Sequence, residues 1–443
     1  MKRQLIFAGL ACLTIAPVAI AAELQLTPAP GFPTQNEPTG TPPGVVALQN
    51  RNSTGFPAPM LKEGEPIETR PPEKEDDHSV FAGQTRAPYH ASVPYTVTTL
   101  SDTLKAPWSF AFLPGGEILI TEKGGTMRIR NAQGALSEPL TGVPTVLAVG
   151  QVGLLDVALD PQFANNHRLY LSYSEPVGET YSNIAVARAR LDGHALSDVK
   201  VIFRAKPGLP ARLLSSNQGG RIAIGRDGNL FVIIGDRSKS PPWDMAQRLD
   251  TDLGKMIHIT PDGDPAPGNP FIGKAGALPE IWSIGHRSEE GLTFDPTTGK
   301  LWEVEDGPRG GDELNLMEPG KNYGWPVALH GIDYPGQTIG EGIVEKAGIE
   351  QPRYYWDPVI APSGLAFYTG NLFPQWKGSV FIGALRGQML DRLTMNADKV
   401  VAEEPLLVDL HSRIRDVRIG PEGAVYVLTD GPNNAKLLKL TPK

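Results

Sequence analysis

Cysteine is almost absent from this chain of 443 residues, because Cys12 is the only one. Cys12 lies in the apolar run "LIFAGLACLTIAPVAI", which follows a basic "MKRQ" and precedes the small residues of "AIAAE". This pattern predicts a cleavable secretory signal peptide over residues 1–22. The mature chain would then contain no cysteine, which excludes disulfide bonds, thiol catalysis and cysteine-ligated metals. We expect a periplasmic protein.

Two other features are scarce. The apolar run at the start is too short to favour a membrane span, with a retained anchor as the alternative. The net charge is −8, and removal of Lys2 and Arg3 with the signal peptide makes the chain more acidic still. An acidic chain argues against nucleic acid or an anionic membrane surface as a partner.

Proline is abundant in one segment, residues 23–93, which contains "TPAPGFPTQNEPTGTPPG" and "FPAPMLKEGEPIETRPPEKEDDH". Neither a helical nor an alternating hydrophobic period is present there. We therefore predict a proline-rich linker or disordered arm that acts as a spacer.

A strand–turn–strand pattern recurs from residue 94 to the end of the chain. "GRIAIGRDGNLFVIIGD" is one copy: apolar residues alternate, Asp-Gly turns the chain, and a second apolar strand ends in an acid. Similar units begin near residues 108, 152, 220, 290, 363 and 414. Long amphipathic helices are missing. The pattern predicts an all-β fold over residues 94–443, a six-bladed β-propeller with a cofactor site in its central channel; an array of β-sandwiches is the alternative.

The stretch "VEDGPRGGDELNL" is a candidate metal site. Gly307 and Pro308 are adjacent and can turn their carbonyl oxygens outward, and Asp312 follows. Carbonyl and carboxylate oxygens are the ligands that Ca²⁺ prefers. A plain turn remains the alternative.

Arginines from separate repeats form a second candidate site. "RIRDVR" places Arg413 and Arg415 on one face of a strand, while "GALRG" and "SIGHR" contribute Arg386 and Arg287 at other strand ends. Guanidinium groups facing one channel would repel each other unless they met an anion, and they bind carboxylates in bidentate geometry. The arrangement favours a small polyanionic ligand, although pairing with acids of the chain is an alternative.

Together these motifs resemble the soluble quinoprotein sugar dehydrogenases of the glucose/sorbosone dehydrogenase type, and in particular the bacterial aldose sugar dehydrogenases. The resemblance covers about residues 94–441. It implies a six-bladed propeller that holds pyrroloquinoline quinone (PQQ) over a calcium ion, oxidises the C1 hydroxyl of an aldose to a lactone, and passes electrons to an external acceptor. The motifs that carry it are "VGQVGLLDVALDP", "GGRIAIGRDGNLFVIIGD", "EIWSIGHR", "EDGPRGGDELNL", "KNYGWP", "APSGLAFY" and "SRIRDVRIGPEG".

The resemblance also implies roles for single residues. Gly307 and Pro308 would offer carbonyl oxygens to calcium, and Arg287 would serve both cofactor binding and catalysis. A monomer or homodimer is expected. A propeller hydrolase would also use calcium in its channel, but it would not need so many arginines. The expected cofactor-binding residues are Gln151, Arg287, Asp312, Tyr354, Arg386, Arg413 and Arg415.

One position departs from the family pattern. Asn217, in "NQGGR", stands where the family has the histidine that takes the proton of the sugar hydroxyl. An amide has no usable basicity near neutral pH. Either another carboxylate, Asp306 or Asp236, acts as the base, or the chain binds PQQ and oxidises sugars weakly or not at all.

Overall fold

The computed structural model describes residues 61–178, 181–210, 216–237 and 243–443, so the expected signal peptide and the first part of the proline-rich segment lie outside the described residues. Regular structure in the described residues is almost entirely β-strand. The strands are β1 (Tyr95–Leu104), β2 (Pro107–Phe112), β3 (Ile118–Glu122), β4 (Thr126–Arg130), β5 (Leu154–Leu159), β6 (Arg168–Val177), β7 (Tyr181–Asp192), β8 (Ala195–Arg204), β9 (Leu209–Pro210), β10 (Gly219–Ile224), β11 (Leu230–Ile234), β12 (Lys255–Ile259), β13 (Ile281–Ile284), β14 (Glu289–Phe294), β15 (Leu301–Glu305), β16 (Asp312–Met317), β17 (Tyr354–Trp356), β18 (Pro362–Phe367), β19 (Val380–Ala384), β20 (Met389–Asn396), β21 (Lys399–Leu406), β22 (Ile414–Ile419), β23 (Val425–Thr429) and β24 (Ala435–Pro442).

Six antiparallel sheets form the blades of a β-propeller, which confirms the predicted fold. Blade 1 contains β2–β4, blade 2 contains β5–β9, and blades 3, 4 and 5 contain β10–β13, β14–β17 and β18–β21. Blade 6 contains β22–β24, with β1 paired to β24 at its outer edge. The innermost strands β2, β5, β10, β14, β18 and β22 each contact the next, and β22 contacts β2. The two ends of the propeller chain therefore close the ring within one sheet.

The six recurring sequence units supply the two inner strands of the six blades. In blade 3, β10 and β11 are joined by a turn at Asp227 and Gly228, where the Gly228 N–H donates to the Gly225 carbonyl at 2.9 Å. Gly228 has φ of +82°, a conformation that glycine adopts at little cost. Local turn chemistry and strand alternation thus account for the repeat.

The hydrophobic core lies between adjacent blades. Along β15, Trp302 and Val304 pack against blade 5, whereas Leu301 packs against blade 3. Successive side chains of a strand point to opposite faces of its sheet. Because both faces of a blade are covered by its neighbours, a second strand such as β11, "LFVII", is apolar and buried along its whole length.

Helices contribute little to the described structure. The α-helix α1 (Phe163–Asn166) and three 3-10 helices, Asp244–Gln247, Pro374–Trp376 and Val408–Leu410, are each a single turn. Among the described residues, no helix is long and apolar enough to cross a membrane.

Residues 61–93, from the proline-rich segment, are irregular but pack against blades 4 and 5. Ala87 is buried in the cluster that includes Trp356 and Ile360. The fully buried Gln84 donates its side-chain N–H to the Pro352 carbonyl at 3.1 Å. Regular strands begin at Tyr95.

Candidate active site

The topology brings the candidate residues to one face of the propeller. In every blade except blade 2, the first residue of the innermost strand pairs with the last residue of the second strand. The loop before the innermost strand and the loop after the second strand therefore lie at the same edge of the sheet. The registers that show this include Gly219↔Ile234, Glu289↔Glu305, Pro362↔Ala384 and Ile414↔Thr429. The residues in these loops, or in the first two positions of the strands that follow them, are Gln151, Asn217, Arg287, Gly307, Pro308, Asp312, Arg386, Arg413 and Arg415.

Asn217 lies in a hydrogen-bonded group on this face. It is only 3% exposed, and its φ of +49° is one that Asn adopts more readily than most residues. Its backbone N–H donates to the Oε1 of Gln151 at 2.8 Å, and its Nδ2 donates to the Oδ1 of Asp236 at 2.9 Å. The other carboxylate oxygen of Asp236 accepts from the Nε1 of Trp325 at 2.8 Å. Residue 217 is therefore directly linked to a buried carboxylate.

Arg287 organises the loop that contains the Gly-Pro pair. Its Nη1 donates to the carbonyl oxygens of Asp306 and Gly307, at 2.9 and 2.8 Å. Its Nη2 lies 3.4 Å from the Tyr334 hydroxyl. A Cβ on Gly307 would lie 2.4 Å from the carbonyl oxygen of Gly310, so a side chain does not fit there. The loop thus turns carbonyl oxygens toward a positive charge.

Asp312 holds the same loop from within the protein. Its Oδ1 accepts from the Gly307 N–H at 2.8 Å, and its Oδ2 accepts from the N–H groups of Ile360 and Ala361 at 2.7 Å each. Burial raises the pKa of Asp312 to about 7, although these three backbone N–H groups favour the carboxylate. Asp312 connects the loop of blade 4 to the start of blade 5.

The other three arginines differ in their partners. The Nε of Arg413 donates to Asp430 at 2.9 Å, and the Nη1 of Arg415 donates to Glu290 at 3.3 Å. Burial opposes ionisation of Asp430, but Arg415 and Arg413 outweigh it and lower the pKa of this carboxyl to about 2. The guanidinium group of Arg386 makes no hydrogen bond or ion pair with the described residues, and burial lowers its pKa. Arg413 and Arg415 are thus partly neutralised by acids, whereas Arg386 is not.

Four residues at this face had not been anticipated: Asp430, Glu290, Tyr334 and Lys123. The Nζ of Lys123 donates to the Gly150 carbonyl at 2.9 Å, and burial together with nearby Arg415 lowers its pKa. The acidic ends of the second strands were a usable signal for Asp430. Tyr334 belongs to an irregular loop and had no signal in the sequence.

Tyr354 lies apart from the candidate site. It belongs to β17, the outermost strand of blade 4, and it is fully buried between blades 4 and 5. Its hydroxyl donates to Glu403 at 2.8 Å and accepts from the Ala87 N–H at 2.9 Å. The structure does not bring Tyr354 to the residues that were expected to surround a cofactor.

The charges on this face suit a ligand with several carboxylates. The Nε atoms of Arg287 and Arg415 are buried without a hydrogen-bond partner among the described residues, and Arg386 is unpaired. The Oδ1 of Asp306 is also buried without a partner. Buried polar groups normally have partners, so these atoms indicate that a bound group completes the site. The carbonyl oxygen of Gly307, which already faces a cation, is of the donor type that calcium takes.

The chain is similar to known sugar dehydrogenases in sequence and in fold. A match to the Glucose / Sorbosone dehydrogenase family covers residues 104–439. The chain is 44% identical over 357 residues to the aldose sugar dehydrogenase YliI of Escherichia coli (strain K12), covering 80% of this chain and 94% of that protein. The crystal structure of the apo-form of the soluble aldose sugar dehydrogenase from Escherichia coli is similar, with a TM-score of 0.75 and 43% identity over 79% of this chain and all of that one. The PQQ-bound aldose sugar dehydrogenase of Streptomyces coelicolor has a TM-score of 0.63 and 29% identity over 79% of this chain and all of that one.

Proposed function

This chain belongs to the glucose/sorbosone dehydrogenase family and is a quinoprotein sugar dehydrogenase, and from that premise we propose that it oxidises the C1 hydroxyl of aldose sugars to lactones with PQQ and calcium. One observation carries the proposal. Arg287, Arg386, Arg413 and Arg415, from three blades, share one face with the Gly307 loop, and the Nε atoms of Arg287 and Arg415 are buried without a hydrogen-bond partner among the described residues. An external acceptor would receive the electrons.

Different residues of this face would bind different parts of the cofactor and the calcium ion. Arg287, Arg386, Arg413 and Arg415 would bind carboxylates and carbonyl oxygens of PQQ, because guanidinium groups donate to such oxygens and pair with carboxylates in bidentate geometry. Gly307 and Pro308 would offer carbonyl oxygens to calcium. When bound, PQQ supplies the two-electron acceptor for the sugar, which is the redox chemistry that side chains lack.

The hydroxyl proton needs a base within hydrogen-bond reach of the sugar. Asn217 cannot serve, but the carboxylate of Asp236 is 2.9 Å from its Nδ2. Asp306 is the second candidate, since its Oδ1 is unpartnered. Burial raises the pKa of Asp306 well above its ordinary value, with Asp312 and Glu290 adding to the rise, and a higher pKa makes a stronger base.

A specific observation also favours the alternative, a PQQ-binding propeller with weak or no sugar oxidation. The Nδ2 of Asn217 donates to one oxygen of Asp236, and the other oxygen of Asp236 accepts from the indole N–H of Trp325. Both carboxylate oxygens of Asp236 therefore already accept a hydrogen bond from a neutral donor. A proton taken up by Asp236 would have to displace one of these donors or bind at a remaining lone pair. Low turnover with normal PQQ binding would follow from such a site.

Export to the periplasm is part of the proposal and rests on the signal pattern of residues 1–22. The N-terminal sequence of the protein recovered from a periplasmic extract tests it directly. A mature start near residue 23 is expected. Recovery of the uncleaved chain in the membrane fraction would instead identify a retained anchor. A monomer or homodimer remains expected, and light scattering would distinguish the two.

The central experiment is a calorimetric titration of the purified chain with PQQ, once in a buffer that contains calcium and once in a buffer that contains a calcium chelator. We expect saturable binding of one PQQ per chain that is lost in the chelator. The loaded protein is then assayed for dye reduction across a panel of aldoses. The absence of saturable PQQ binding in calcium would refute the proposal, whereas binding without turnover on any aldose would select the weak-oxidation alternative.

A further inference from the structure

Residues 70–80, which we call the strap, contact the candidate calcium loop from outside the propeller. The Oε2 of Glu73 accepts a hydrogen bond from the Nε of Arg309 at 2.7 Å, and Arg309 directly follows Pro308. The Glu73 side chain is 9% exposed and that of Arg309 is 21% exposed. Because both groups are largely shielded from water, this ion pair is stronger than a surface pair.

The strap has further anchors beside the same loop. The backbone N–H of Glu73 donates to both carboxylate oxygens of Asp357, at 3.0 and 3.1 Å. A Cβ on Gly310 would lie 2.8 Å from the Oδ1 of Asp357, so this carboxylate packs directly on the loop. Asp77 accepts from the Tyr355 hydroxyl at 2.9 Å and lies 2.8 Å from the Nδ1 of His330. Strap and loop are therefore held by shared partners.

The strap also lies within electrostatic reach of the cofactor-binding face. Burial lowers the pKa of the unpaired Arg386, and the carboxylates of Asp312 and Glu73 oppose that shift. The family match begins at residue 104, so the strap lies outside the matched region. The contacts between the strap and the site are therefore additional to those made within the propeller.

We propose that the strap positions the Gly307–Asp312 loop and that Glu73 is its positioning residue. Asp312 fixes this loop from the interior through the Gly307 N–H, and Glu73 fixes it from the outside through Arg309. The carbonyl oxygens of Gly307 and Pro308 lie between the two attachments. The strap therefore sets the position of the oxygens that would bind calcium, a role that rests on the proposed function.

The first test reads the loop in the cofactor-free protein and does not depend on the proposed function. Three amides of the loop, those of Gly307, Arg309 and Gly311, are hydrogen-bonded. Glu73→Gln should raise the hydrogen-exchange rate of the peptide that contains them by about tenfold, because the negative partner of Arg309 is lost and only a weaker hydrogen bond to a neutral amide oxygen can remain. Glu75→Gln is the matched control, since Glu75 is exposed on the same strap. Equal exchange rates in both variants would overturn the proposal.

The second test measures calcium. Glu73→Gln should weaken calcium binding in the presence of PQQ by about tenfold and leave the KM for the sugar unchanged. The charge-reversed pair Glu73→Arg with Arg309→Glu should restore much of the affinity, which a merely structural loss would not allow. A lower melting temperature with unaltered calcium affinity would overturn the strap's role. Failure of the wild type to bind calcium or PQQ would refute the proposed function instead, with the exchange experiment still decisive for the strap.

Discussion

Replacement of Asn217 by histidine tests the chemistry of the site most directly. The backbone at residue 217 has φ of +49°, and histidine is among the residues enriched in this conformation, so the substitution should fold. The Nδ2 of Asn217 lies 2.9 Å from the Oδ1 of Asp236. An imidazole in the same place can donate one N–H to Asp236 and present its other nitrogen to the substrate hydroxyl.

The expected gain follows from the value of a positioned base. General-base catalysis typically contributes about 10²–10⁴-fold in rate, and each tenfold corresponds to about 1.4 kcal/mol of barrier. Asn217→His should therefore raise kcat for aldose oxidation by about 10²-fold or more. PQQ affinity should hardly change, because the contact of residue 217 with Gln151 is made by its backbone N–H, which the substitution keeps.

The pH profile of the variant carries a second signature. The neutral imidazole is the base, so the rate should rise with pH through the pKa of the new histidine. That pKa should lie not far from the unperturbed value of about 6.5, with the Asp236 carboxylate shifting it upward. Steady-state dye reduction between pH 5 and pH 9, with saturating PQQ and calcium, measures both the gain and the profile.

Two controls distinguish general-base catalysis by the new histidine from an unspecific effect of the substitution on the loop. Asn217→Gln keeps an amide and should show no gain. Addition of Asp236→Asn to Asn217→His should remove most of the gain, because the imidazole loses the group that orients it. If the wild type already oxidises aldoses rapidly and Asn217→His does not help, the reasoning is refuted and another base is present. Asp236→Asn and Asp306→Asn would then be assayed in the wild-type background. The substitution that abolishes turnover while PQQ still binds identifies the base.

Four further substitutions probe the rest of the site. Gly307→Ala should abolish calcium-dependent PQQ binding in calorimetry, because the added Cβ would lie 2.4 Å from two loop carbonyl oxygens; Gly124→Ala, with nothing within 4 Å of the added Cβ, should bind normally. Arg386→Ala should weaken PQQ binding by about tenfold or more without changing the melting temperature of the cofactor-free protein. Arg415→Ala should lower the free energy of unfolding in urea by about 3–5 kcal/mol, because it leaves the buried carboxylate of Glu290 without the arginine that donates to it. The folded pKa of Asp430, about 2, lies below its ordinary 3.8, so its stabilisation is present above pH 3.8 and is lost as pH falls through 2. The difference in unfolding free energy between the wild type and Asp430→Asn should accordingly shrink by about 2 kcal/mol from pH 5 to pH 2.

The six-bladed architecture could be predicted because its signals are local. Alternation with period two, an Asp-Gly or Pro-Gly turn and an apolar return strand are properties of about 20 consecutive residues. Each unit forms the inner hairpin of one blade, as in β10 and β11 around Gly228. Repetition of one local pattern fixes the number of blades without any knowledge of long-range contacts.

The sequence predicted candidate site residues only where those residues stand at the ends of strands. Arg287, Arg386 and Arg415 stand at strand ends in separate repeats, and the topology brings such ends to one face. The expected role of Tyr354 rested on a weak alignment of its segment with the family pattern. Its position depends on the pairing of β17 at the outer edge of blade 4, far along the chain from its partners Ala87 and Glu403.

By itself, the sequence determined the fold class, the repeat number, the family and the departure at Asn217, because each of these resides in the identity of neighbouring residues. Only the tertiary structure decided what surrounds those residues. It placed Asp236 beside Asn217, paired Arg415 with Glu290 across 125 positions, and brought Glu73 to Arg309 across 236 positions. Glu290 and Arg415, like Glu73 and Arg309, are far apart in the chain, and no local pattern specifies which distant side chains will meet when the blades pack together.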